Sequence, residues 1–97
     1  MNQKEKLEGF DQLIRAFLKL ENPEECQNFL LDLCTMTELQ SMAQRLEVAR
    51  QLKNRQIYAS IVESTGASTA TISRVNRALH YGDNGYQVVL ERLEKDE

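Results

Sequence analysis

The residues best suited to chemistry in this 97-residue chain lie in the run STATISRVNRAL, positions 68 to 79. At about 100° per residue, Ala70, Ser73, Arg74 and Arg77 fall opposite an apolar stripe of Ile72, Val75 and Leu79, with Thr69 and Thr71 in the first turn. Small and hydroxylated side chains let a helix backbone approach a nucleic-acid groove, while arginines reach phosphates or guanine edges. The chemistry implied is reversible recognition of double-stranded DNA. A solvated helix with ordinary surface charge is the alternative reading of the same face.

Bond-making chemistry finds no comparable support. His80 is the single histidine, the serines lack a paired base and orienting acid, and there is no phosphate-cradling glycine loop. No catalytic residues are expected. Glu24 and Glu25 fall in the first turn of a helix, where carboxylates complement its dipole. Cys26 and Cys34 stand eight positions apart on what reads as one helix, about 12 Å along its axis. That is too far for an intrahelical disulfide, so both are expected as reduced core thiols. With no CxxC and one histidine, no metal site is expected.

The candidate reading residues need a helix-turn-helix to present them, and residues 57–79 have its pattern. Ile57 and Ile61 mark the apolar face of a first short helix. Gly66 supplies the positive φ of a sharp turn, and Ser68 stands as the N-cap of the second helix. Upstream, Leu7 to Leu20 reads as an amphipathic helix and Asn22-Pro23-Glu24-Glu25 opens another. Thr35 and Glu38 then cap a long core helix over residues 35–54, with Leu39, Met42, Ala43, Leu46, Ala49 and Leu52 as its core stripe. The cluster Tyr81-Gly82-Asp83-Asn84-Gly85 forms a turn. A last helix follows over residues 86–94, with Val88, Val89 and Leu93 as its buried side. The fold class expected is all-α: six helices in one domain over residues 1–97.

Composition agrees with a folded globule, at 41% apolar and 28% charged. No apolar run approaches membrane-spanning length, and the N-terminus lacks the pattern of a signal peptide, so a cytoplasmic protein without a membrane partner is expected. The net charge of −3 argues against DNA if taken whole, but its distribution does not. Residues 1–34 carry four basic and seven acidic side chains, residues 35–81 six and three, and residues 82–97 two and five. The basic surplus thus lies in the segment holding the helix-turn-helix. The helices of residues 1–34 are strongly apolar and have little to cover them in one copy. They are expected to pack against a second copy, making a homodimer.

The segment from Thr35 to Leu79 resembles the Trp repressor family, and more closely its Gram-positive branch of the YerC/YecD type. The resemblance rests on T-x-x-E opening the long helix, on Arg45 within it, on TGASTATISRVNRAL across the turn and second helix, and on YGDNGY at residues 81–86. It implies an intertwined homodimer that offers one recognition helix, about residues 68–79, to each half-site. The DNA-binding set is Ser68, Thr69, Ala70, Thr71, Ser73, Arg74 and Arg77; by position Thr69, Ala70 and Ser73 read base edges and Thr71 contacts the backbone.

The resemblance also implies an effector pocket of Thr35, Arg45, Arg74, Val75 and Ala78, with Arg45 and Arg74 matching the two arginines that sandwich the corepressor tryptophan. Val75 replaces the family's glycine, and Ala78 replaces a serine near the ligand's amino group. These changes disfavour tryptophan, leaving an unknown small effector or no cofactor at all. Tyr58, Ala59 and Val62 stand where the repressor has polar DNA-contacting side chains, so the operator should differ. The function expected is that of a sequence-specific DNA-binding transcriptional regulator, a repressor. A helical protein-protein interaction module that keeps the fold without binding DNA is the alternative.

Overall fold

The computed structural model describes residues 7–96. Six helices account for most of them: α1 Phe10–Leu18, α2 Pro23–Leu33, α3 Met36–Lys53, α4 Tyr58–Thr65, α5 Thr69–Tyr81 and α6 Gly85–Lys95. No strand occurs among the described residues, so the all-α, six-helix expectation holds. The chain divides into two compact units, Met1–Met36 and Thr37–Glu97.

In the first unit, α1 is shorter than the Leu7–Leu20 span its apolar pattern suggested, because Gly9, in a left-handed conformation, starts it and Lys19 ends it. The start of α2 follows its sequence signals closely. Asn22 Oδ1 accepts from the Glu25 amide at 2.9 Å, Pro23 occupies the first turn, and Glu25 Oε1 accepts from the Glu21 amide at 2.9 Å. Those bonds satisfy amides a helix start leaves unpaired, so Glu25 serves as a cap. Phe17 and Phe29 meet edge to face with centroids 5.3 Å apart. Even so, neither α1 nor α2 contains a buried residue, and a gap of about 350 Å³ lies between Leu13, Ala16 and Phe29.

The second unit holds the core. Val48, Ala49, Ile61, Ala67, Ile72, Val75, Leu79 and Leu90 are buried, with Leu46, Leu52 and Tyr86 packed against them. Three expectations need correction here. Val48 joins Ala49 as the buried pair of α3, while Met42 and Ala43 are exposed. Apolar side chains occur around much of this helix, so periodicity did not single out the covered face. On α6 the anchor is Leu90, and Val88, Val89 and Leu93 are exposed. Tyr86 and Leu90, four apart, face the core together. Ile57 is 68% exposed at the N-cap of α4, leaving Ile61 as that helix's buried residue.

Polar bonds fix α4 against α3. Gln44 Nε2 donates to the Thr65 carbonyl at 3.1 Å, closing an orphan carbonyl at the end of α4. Ser64 Oγ donates to Gln51 Oε1 at 2.9 Å, and Gln51 Nε2 donates to Glu47 Oε2 at 2.9 Å. Glu47 also accepts two bonds from Arg50, at 2.9 and 2.6 Å. Hydrogen bonding from Arg50, then from Gln51, holds the Glu47 carboxyl down at about 2, against an ordinary value of 4.5.

Candidate nucleic-acid interface and adjoining cavity

The turn that presents α5 is tightly determined. Gly66 takes φ 74° and donates its amide to the Val62 carbonyl at 2.9 Å; a residue with a Cβ is strained in this left-handed conformation. Thr65 Oγ1 donates to the Ile61 carbonyl at 2.7 Å and accepts from the Ala67 amide at 3.1 Å. Ser68 then caps α5, its Oγ accepting from the Thr71 amide at 3.1 Å. Buried Ala67 pins the middle of the turn to the core. The start of α5 is therefore fixed in position and direction.

One side of α5 is clamped by Ile72, Val75 and Leu79, which are 0%, 1% and 4% exposed. The other side carries Ser68, Thr69, Ala70, Ser73, Arg74 and Arg77, all exposed, with Thr71 half-buried at the flank. Among the described residues Arg74 and Arg77 have no carboxylate partner. Two basic residues of α3 differ, since Arg50 is held by Glu47 and Lys53 lies 3.7 Å from Glu94 of α6. Two guanidinium groups on a rigid helix, not neutralised by any described residue and flanked by small polar side chains, form a surface suited to phosphates and base edges.

Each effector residue inferred from sequence has its own setting within its unit. Thr35 precedes α3 in the first unit and is exposed. Arg45 is half-buried on α3, and Arg74 lies on the open face of α5. Val75 is buried with Ile72 and Leu79 in the hydrophobic core. Ala78 does line a cavity, of about 430 Å³, with Leu46, Gly82, Asp83, Gly85, Tyr86 and Val89. This lies within the size range of small-molecule sites. Sequence reasoning missed the other six of these residues; four of them belong to YGDNGY, which reads as a turn and a family marker, with no hint that a hollow forms behind it.

The backbone around that hollow is constrained. The Gly82 amide donates to the Ala78 carbonyl at 2.9 Å, and a Cβ at Gly82 would collide with the same carbonyl oxygen. Gln87 Nε2 donates to the Leu79 carbonyl at 3.2 Å, stapling α6 to the end of α5. The wall next to α5 is thus as firmly built as the helix's buried side.

A profile of the Trp repressor protein family matches residues 8–94. The chain belongs to the Trp repressor family. It is 52% identical to the uncharacterized protein YerC of Bacillus subtilis, over 98% of this chain and 93% of that one. Among solved structures it is similar to a candidate Trp repressor from Staphylococcus aureus, with a TM-score of 0.89, 50% identity and coverage of 97% and 96% of the two chains. A TrpR-like protein from Eubacterium eligens gives a TM-score of 0.88 at 49% identity, covering 96% of each chain. The Trp repressor family comprises dimeric, DNA-binding regulators, and the six-helix architecture of this chain is theirs. Among the described residues no helix is long and apolar enough to cross a membrane, and no cluster of three His, Cys, Asp or Glu could hold a metal.

Proposed function

We propose that this protein is a sequence-specific transcriptional regulator of the cytoplasm, a repressor that acts as an intertwined homodimer and occludes a promoter. Each subunit points α5 into the major groove of one half-site, N-terminal turn first. The observation that carries this reading is the open face of α5, where Arg74 and Arg77 stand without carboxylate partners among the described residues, beside Thr69, Ala70 and Ser73. Arg77 and Arg74 hold the phosphate backbone, Ser68 and Thr71 position the helix start on it, and Thr69, Ala70 and Ser73 discriminate bases. The exposed apolar side chains Leu7, Ile14, Leu18, Leu31 and Leu33 of the first unit provide the surface that a second subunit covers.

Selection from random duplexes tests the reading. It predicts enrichment of a two-fold-symmetric site, with affinity that falls steeply as salt rises. Enrichment of no sequence, together with salt-independent binding, would sink it.

The 430 Å³ cavity is the effector site in this reading. Its lining residues include Asp83 but no arginine or lysine, which does not suit the carboxylate of tryptophan. Added tryptophan should therefore leave both thermal stability and DNA affinity unchanged. A second reading, a helical protein-protein module, draws on the exposed Ile57 at the N-cap of α4 and the exposed Tyr58 and Val62 within it. It requires that Arg74→Ala and Arg77→Ala leave the cellular phenotype intact, whereas the repressor reading requires both to abolish regulation.

A further inference from the structure

Tyr81 is the last residue of α5 and is 87% exposed. It stands at the end of the series Ala70, Arg74, Arg77, Tyr81, whose spacing of four, three and four places all of them on one line of the helix. The backbone holds it there. Gly82 hydrogen-bonds to the Ala78 carbonyl and then turns the chain sharply away, with φ −88° and ψ −146°. The downstream chain therefore does not cover the phenol, and the ring meets His80 edge on at 6.4 Å.

From Thr69 to Tyr81 the helix rises about 18 Å, whereas a B-DNA major groove is only about 8.5 Å deep. With the first turn of α5 on the base edges, the last turn lies beyond the groove, level with the flanking sugar-phosphate strand. A tyrosine there presents a hydroxyl to a phosphate oxygen and a ring face to deoxyribose.

We propose that Tyr81 is a further DNA contact, a backbone anchor at the far end of the recognition helix; this rests on the DNA-binding reading above. Because the phenol is neutral, it adds affinity without releasing counterions and without reading sequence. The experiment is fluorescence anisotropy with the selected duplex and with a scrambled duplex of equal length, across a salt series. Wild type, Tyr81→Phe, Tyr81→Ala and Arg77→Ala are compared. Loss of the hydroxyl in Tyr81→Phe should weaken both duplexes alike, by roughly tenfold, with the salt slope unchanged. Arg77→Ala should lower that slope by about one.

Wild-type affinity in both Tyr81 variants overturns the inference while leaving the DNA-binding reading intact. So does a loss confined to the selected duplex, which would make Tyr81 a base reader, or a change in oligomeric state without DNA, which would place the ring in a subunit interface. Failure of wild type itself to bind any duplex defeats the broader reading and this one with it.

Discussion

The two units of this chain use apolar residues in opposite ways. Helices α3 to α6 enclose eight buried residues contributed by three helices, the α4–α5 turn and α6. Helices α1 and α2 carry comparable apolar content yet bury none of it fully. Ile14, Leu18, Leu31 and Leu33 stay exposed, while Phe17 and Phe29 pack ring against ring. A pair of short helices with so little burial does not offset the entropy of ordering them. On the proposed function, the second unit holds a reading helix still and the first is completed by a second subunit.

The largest effect expected from testing that contrast is in the core of the second unit. Ile72→Ala should lower unfolding free energy by about 3 kcal/mol, measured by denaturant titration, because Ile72 is fully buried near the start of α5. Gly82→Ala should cost about 2 kcal/mol, since the added carbon meets backbone that cannot move aside. In the first unit, Ile14→Ala should cost only about 1 kcal/mol within one subunit. Its signature is different in kind: the wild-type melting temperature should rise with protein concentration, and the variant should lose much of that dependence. A concentration-independent wild type would erase the contrast.

The smallest effect concerns Glu47. Its carboxyl is held at about 2 in the folded chain, against 4.5 ordinarily. A depressed carboxylate stabilises the fold above its unfolded value and loses that contribution as pH falls. The loss should therefore occupy the window from about 4.5 down to about 2. Because Glu47 and Arg50 are both partly exposed, the contribution should stay below about 1 kcal/mol. Glu47→Gln should flatten the denaturant midpoint across that window, and a wild-type pH profile matching the variant's would contradict the assignment.

Local signals were the legible part of the sequence. Asn22, Pro23 and Glu25 at the start of α2, Gly66 in the turn, and Ser68 capping α5 act through bonds spanning four residues or fewer, so spacing alone reveals them. The Ile72, Val75, Leu79 stripe was equally readable because the opposite face of α5 is polar. Helices α3 and α6 were harder, since both carry apolar residues on more than one side. Periodicity named Val88, Val89 and Leu93 where the subunit buries Leu90, and passed over Val48 on α3. A helix with two apolar faces does not disclose which one its own subunit covers. The cavity behind Gly82 was invisible for a related reason, being assembled from α3, α5 and α6 with no local signature.

If the uncovered first unit pairs two subunits, its consequence is a fixed distance between two copies of α5. Pulsed EPR measures it, using spin labels at Thr69→Cys in a chain whose Cys26 and Cys34 are replaced by serine. The account predicts one distance near 34 Å, broadened by the label linkers, the general spacing for two-fold helix-turn-helix dimers, Trp repressor among them. Absence of a dipolar signal, or a distance far from one turn of DNA that persists when duplex is added, would contradict it.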